Sequence, residues 1–290
     1  MFGIMGTSAE FARAAGAKGK KMPEVVFEDR SIDPIIYSLS CVGEISVIST
    51  KNGNQVVQTY TNLTDTQVSI QSDKNSKISI IGDVTSIVVN FYDGEDYYGT
   101  TDVVSFVVNN SNYLNKIDIQ SCTALRELNV KGAIGLTELN CKHDYITSLD
   151  LSNNTALTTL YCDYVDLSSL DLSNNTALTT LTCSDNHSIT SLDLSNNTAL
   201  TTLHCAYATS MTSLDLSTNT ALTSLSIGNQ CKALKTIKYP ATNSSVSTQI
   251  ASAITAATAA DGTVYTDSAG AYYSTIETAA NNKGWTIEQL

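Results

Sequence analysis

Charge is scarce in this sequence, and basic charge is scarcer still. Only 15% of its 290 residues are charged, with 16 lysines and arginines against 28 acids, a formal net charge of -12 and a pI near 4.5. Binding to nucleic acid phosphates needs clustered cations that release counterions, so no nucleic acid partner is expected. No stretch of about 18 apolar residues is present to cross a bilayer as a helix, so no membrane role is expected. The start lacks an early basic cluster followed by an apolar run, because Glu10 and Arg13 interrupt it, and no secretory leader is expected. No Ser, His and Asp set, phosphate loop or dinucleotide fingerprint occurs, and the seven cysteines show no CxxC spacing. These absences remove the usual signatures of an enzyme or a cofactor protein. We therefore expect no enzyme, no cofactor and no metal.

What is present is repetition. The segment LDLSNNTALTTL at Leu149–Leu160 returns unchanged at Leu170–Leu181 and Leu192–Leu203, with a near copy at Leu214–Leu225. The underlying unit is half as long: apolar, two polar, apolar, one polar, apolar. It starts at Val103, Leu114, Leu125, Leu136, Ile146, Leu157, Leu167, Leu178, Ile189, Leu200, Met211, Leu222 and Leu234, in steps of ten to twelve residues. Its fourth and sixth positions, such as Leu149 and Leu151, flank one outward residue, as a short strand with one buried face requires. Two units make one coil. A half-coil this short has no room for a crossover helix, so a short strand is expected on both walls.

The pattern LxxLxC followed by LxxLDLSxN resembles leucine-rich repeats, in the short nested subclass of about 21 residues seen in bacterial surface proteins and in phages of gut bacteria. The resemblance covers roughly Val84–Tyr239, broken by an insertion around Phe91–Gly99. The asparagine that follows LxC, present as Asn186, is replaced by Asp144, Val165 and Ala208. The expected fold is mostly β: a leucine-rich-repeat-type parallel β-solenoid over residues 84–240, after a β module at 24–83 and before an α/β cap at 241–290. The resemblance implies binding rather than catalysis, and fold analogy alone names no partner.

Position within the repeat gives each polar column a meaning. Cys141, Cys162, Cys183 and Cys205 share the sixth position and should form an inward column of reduced thiols about 4.8 Å apart. Asn154, Asn175, Asn197 and Asn219 should bond turn backbone of their own or the adjacent coil. Asp150, Asp171, Asp193 and Asp215 take the outward fifth position of one wall, with Lys238 at the next equivalent place. That column reads as a hydrated face, as a cation groove, or as a carboxylate pair of a polysaccharide enzyme.

Variation concentrates on the other wall. Its outward positions read Asn140, Tyr161, Thr182, His204 and Ser226, and the second residue beyond each core cysteine reads His143, Tyr164, Asp185 and Tyr207. Rings with polar tips suit a sugar or a protein partner. His143, Tyr161, Tyr164, Thr182, Asp185, His204 and Tyr207 are the candidate ligand face. The three histidines, His143, His187 and His204, stand on coils too far apart to converge on a metal.

At the ends, Asn52-Gly53 between two β-rich runs marks a hairpin. Ser247–Ala260 and Ala271–Asn282 read as helices, the second ended by Gly284, with Trp285 buried in the cap. Thr7 and Glu10 form a capping box for a short helix over Ala9–Ala15. Arg13, Lys18, Lys20 and Lys21 make residues 1–23 a basic arm, a candidate anchor to a virion or other assembly and a route to a dimer or trimer.

Two binding roles follow. One is a phage virion appendage, such as a head or tail fibre or accessory adhesin, displayed on the particle if Met1 is the native start. The other is a bacterial surface or secreted binding protein whose leader was lost. The enzyme using the aspartate column is the third and weakest reading.

Overall fold

The computed structural model describes residues 24–290, apart from 30–34, 42–43, 52–53, 64–65, 70–75, 82–83, 89–90, 93–96, 99–102, 123, 229–230 and 240. The basic arm, with its expected helix and Arg13, Lys18, Lys20 and Lys21, lies outside the described residues, as does the Asn52-Gly53 turn. The chain divides into two compact units, Met1–Leu136 and Thr137–Leu290.

The first unit is built of strands β1 (Glu24–Asp29), β2 (Ile35–Cys41), β3 (Glu44–Lys51), β4 (Asn54–Thr61), β5 (Thr66–Ser69), β6 (Ser76–Ile81), β7 (Val84–Val88), β8 (Phe91–Tyr92), β9 (Tyr97–Tyr98), β10 (Val103–Asn110), β11 (Lys116–Asp118) and β12 (Glu127–Asn129). One sheet runs in the order β4-β3-β6-β1-β10-β12. All its pairs are antiparallel except β10 and β12, which run parallel with Phe106 opposite Leu128. Strands β3 and β4 meet with Lys51 opposite Asn54, the register that a two-residue hairpin demands. The insertion around Phe91–Gly99 contains the small β8–β9 ribbon. β7 pairs antiparallel with β2 and parallel with β11, so parallel pairing of repeat type already exists in this unit. Alternation along the strands buries Ile45 and Val47, Phe106 and Val108.

The second unit is a parallel β-solenoid. Strands β13 (Glu138–Asn140), β14 (Thr159–Tyr161), β15 (Thr180–Thr182), β16 (Thr202–His204) and β18 (Ser224–Ser226) stack in one direction, with Leu139, Leu160, Leu181, Leu203 and Leu225 in register. The first apolar residue of each half-coil is buried as the spacing predicts, including Ile146, Leu157, Leu167, Leu178, Leu200 and Leu222. Each such side chain removed from water contributes about 1.5–3 kcal/mol before the entropy of ordering the chain is charged against it. Threonine precedes the strands because it bonds twice. Thr158, Thr179 and Thr201 each send backbone N–H and hydroxyl to the same carbonyl of the preceding coil, at 2.9 and 3.0 Å.

The opposite wall differs from the symmetric picture. Strands β17 (Ser213–Asp215) and β19 (Thr236–Lys238) pair in parallel there. Residues 149–151, 170–172 and 192–194 keep the in-out-in alternation but form no strand. Instead a cleft of about 440 Å³ opens between the coils, lined by Ser148, Asp150, Ser152, Ser169, Asp171 and Asn174. Coils pair strand to strand along the cysteine wall, and on the aspartate wall only at β17 and β19.

The asparagine column does what the turn positions require. Asn175 donates to Asn154 O at 2.9 Å and Leu151 O at 3.2 Å; Asn197 and Asn219 repeat this one coil further each time. All are fully buried. Carbonyls turned inward at each corner would otherwise be orphaned.

The cap follows the last coil. Helix α1 (Ser244–Ala256) starts three residues before Ser247 because the Asn243 side chain accepts from Val246 N–H, an N-cap outside the periodic run. It ends at Ala256 rather than Ala260, and β20 (Thr263–Thr266), a strand the periodicity did not announce, pairs in parallel with β19. Helix α2 (Tyr273–Lys283) closes on Gly284 at φ 80°, a left-handed cap that glycine adopts freely. Strand β21 (Thr286–Gln289) then pairs with β20. Trp285 is buried as expected, its indole N–H donating to Ala259 O at 2.9 Å. Gly262 lies so close under the indole that a Cβ there would fall 2.2 Å from Trp285 Cε2.

Candidate ligand-binding face

Immediately after each strand of the cysteine wall the backbone turns through a left-handed residue. His143, Tyr164, Asp185 and Tyr207 have φ of 60°, 56°, 61° and 60°. Left-handed backbone costs an L-residue roughly 1–2 kcal/mol, and glycine or asparagine would take the position more easily. Histidine and aspartate are tolerated there, whereas tyrosine is unusual. The surrounding bonds hold the conformation. Cys141 and His143 donate to Tyr161 O and Asp163 O, Cys162 and Tyr164 to Thr182 O and Ser184 O, and Cys183 and Asp185 to His204 O and Ala206 O, all at 2.8–2.9 Å. The intercoil ladder thus runs past the strands and pins the turns at His143, Tyr164 and Asp185, so their side chains are carried on a fixed mount.

On that mount the rings stand out. Tyr164 is 53% exposed and Tyr207 47%. His143 stacks on Tyr164 with ring centroids 4.5 Å apart and planes 14° off parallel. Burial lowers the His143 pKa, helped by Lys142 and opposed by Asp163 and Asp185. Asp185 raises the Tyr164 phenol pKa by its charge and a hydrogen bond. His204 is half-buried, with Nε2 at 3.5 Å from Ser224 Oγ. His187 is exposed, its Nδ1 2.9 Å from Tyr207 O. Among the described residues no three His, Cys, Asp or Glu side chains gather as a metal site would need.

Thr182 departs from the expected outward exposure. It is only 6% exposed, because its hydroxyl donates to Asp163 Oδ2 at 2.5 Å. Asp163 also accepts Ser184 N–H at 2.8 Å and forms an ion pair with Lys142 at 2.9 Å. The Lys142 ammonium lies 4.8 Å from the centroid of the half-buried Tyr161 ring. Three coils are therefore tied by one charged cluster that the repeat pattern did not single out. The available signal was Asp163 itself: the residue after the core cysteine is Lys142, Ser184 or Ala206 in the other coils.

The aspartate column serves its own backbone. Asp150, Asp171, Asp193 and Asp215 each accept the N–H of the serine two residues on, at 2.9–3.0 Å. For Asp171 and Asp193 the bonds from Ser173 and Ser195 hold the carboxyl below its ordinary range. At Asp215 burial opposes ionisation but the bonds from Ser217 and Lys238 outweigh it. Lys238 pairs with Asp215 at 2.9 Å, ending the column as its position implied. Asp171, Asp193 and Asp215 are thus held below the ordinary range, the reverse of what a proton donor for acid catalysis needs.

The cysteines are buried, and Cys141, Cys162, Cys183 and Cys205 stand in the core column. Burial pushes the Cys183 thiol up to about 12, and the Cys162 and Cys205 thiols also rise well above their usual value.

No family model and no curated protein matches this sequence. Among solved structures the chain is similar to the functional domain of InlJ from Listeria monocytogenes, described as including a cysteine ladder. The likeness has 23% identity and a TM-score of 0.34, over 59% of this chain and 49% of that one. It is also similar to an internalin, InlF, from Listeria monocytogenes, at 17% identity and a TM-score of 0.28, over 67% and 71%. The chain spans about half the length of the InlJ structure.

Proposed function

We propose that this protein is a non-enzymatic recognition protein whose cysteine wall binds a protein or glycan ligand. One observation carries the reading: bulky rings at Tyr164 and Tyr207 occupy left-handed turn positions that smaller residues would fill at lower cost, and both are exposed, Tyr164 on a turn pinned by the intercoil ladder. An exposed aromatic set on a fixed scaffold is the usual composition of an interface centre. The ligand face comprises His143, Tyr161, Tyr164, Asp185, His204 and Tyr207, with Thr182 holding Asp163 beneath it.

The finer reading is display on a surface, as a phage virion appendage or as a bacterial surface or secreted protein. The basic excess at Arg13, Lys18, Lys20 and Lys21 supports an anchoring role for residues 1–23, with association into a dimer or trimer. The test is binding of the labelled full-length chain to arrayed glycans and bacterial envelopes, beside a Tyr164→Ser, Tyr207→Ser variant and a variant with the four basic residues changed to glutamate. Loss of binding in the first, with unchanged circular dichroism, supports the wall. Equal binding by wild type and the tyrosine variant would refute it. An unaltered solution mass in the glutamate variant would refute arm-driven association.

A further inference from the structure

The second unit holds two lysines in the same way. Lys142 lies 4.8 Å over the Tyr161 ring and 2.9 Å from the Asp163 carboxylate, and Lys238 lies 5.6 Å over the Tyr265 ring and 2.9 Å from Asp215. In each case the lysine comes from a different coil or strand than the ring and the carboxylate, so parallel stacking brings the cation to them. A cation gains from both groups at once, from the ring's negative face and from the paired charge.

A third clasp of this kind stands on the left-handed column. Tyr164 and Asp185 hold the equivalent left-handed turn on successive coils, which the Tyr164 N–H bond to Ser184 O at 2.9 Å ties together, and Tyr207 holds the same turn on the next coil. Tyr164 and Tyr207 are exposed and Asp185 is partly so. One face of the Tyr164 ring carries the His143 imidazole, and the chain supplies no lysine or arginine to the other. No lysine or arginine occurs between Lys142 and Lys232, while eight aspartates do. Lys142 is already held by Asp163, and among the described residues Asp185 makes no ion pair.

Resting on the reading of this wall as a ligand face, we propose that its ligand is a cationic protein segment, which inserts an arginine or lysine between Tyr164, Asp185 and Tyr207. A guanidinium suits the site well, since it stacks on a ring face while its edge meets a carboxylate. The acidic coils add long-range attraction that speeds encounter with a basic partner and repel anionic polymers. A neutral glycan would use the rings but gain nothing from this charge.

The test uses the full-length protein and a fluorescent octapeptide of alternating arginine and glycine, with binding followed by anisotropy at low and high salt. Tyr164→Ser and Asp185→Asn should each weaken binding roughly tenfold, the loss of one strong contact. An Asp150→Asn, Asp193→Asn control removes two charges from the aspartate wall and should change affinity less than twofold. Both variant sites are partly or fully exposed, and circular dichroism verifies folding. If the control weakens binding as much as Asp185→Asn, the attraction is diffuse and the clasp is overturned. If the peptide fails to bind while cellohexaose binds in a Tyr164-dependent way, the cationic class is overturned and the ligand face stands. If neither binds, and envelopes bind independently of Tyr164, the ligand face falls as well.

Discussion

Two ion pairs of equal length allow environment to be separated from distance. Lys142–Asp163 and Lys238–Asp215 both measure 2.9 Å, but the Asp163 side chain is 9% exposed and that of Asp215 is 49%. Asp163 also accepts Thr182 O–H and Ser184 N–H, so asparagine there must replace a carboxylate that receives three donors. Its amide oxygen can keep one donor, and its NH2 group then faces another. A hydrogen bond to a charged group is worth about 1.5–3 kcal/mol, and removing one member of a buried pair costs about 3–5 kcal/mol. Lys142 is partly exposed and regains some hydration, so Asp163→Asn is expected to cost about 2–3 kcal/mol. Asp215→Asn should shift the unfolding midpoint little, as exposed pairs do. Urea titration followed by circular dichroism measures both, with the slope checked because a broken repeat array loses its single transition. Equal losses in the two variants, or a cost at Asp163 below about 1 kcal/mol, would refute the claim that burial and multiple donors set the magnitude.

The cysteines should resist a thiol-reactive dye in the native protein at pH 8 and all seven should react once it is unfolded, since all are buried and burial raises the thiols of Cys162, Cys183, Cys205 and Cys231. Rapid modification of Cys183 in the folded state would contradict the packed column. Asp171 and Asp193 should titrate below the ordinary 3.8 of an aspartate in carbon-detected NMR. Because their folded pKa is depressed, their contribution to stability is present above the ordinary range and is lost as pH falls through the depressed value. Midpoints at or above 3.8 would show that the serine bonds do not form in solution.

The periodic leucines, the cysteine and asparagine columns and the buried Trp285 were legible because each depends on spacing alone. Other features depend on which side chain meets which across coils. Thr182 looked outward by register, yet Asp163 from the preceding coil draws it under cover. The left-handed turns were hidden because Tyr164 and Tyr207 stand where glycine or asparagine normally announces such backbone. Strand pairing on the aspartate wall failed at 149–151 although the alternation there is the same as on the paired wall, since alternation reports a buried face and not the distance to the next coil. Helix α1 began early because its cap, Asn243, lies outside any apolar period.

The asparagine column also bears on how such an array changes length. Asn175, Asn197 and Asn219 each reach back to the asparagine and leucine carbonyls of the coil before, and the twelve residues that carry the corner are identical in three coils. Removing or duplicating one whole coil therefore joins a donor to the same kind of acceptor it already uses, and the seam strands nothing beyond the asparagine Oδ1 that each coil already leaves unbonded. Copy number becomes a heritable variable that the corner chemistry does not penalise, while the residues of the turns after each cysteine remain free to diverge from one copy to the next.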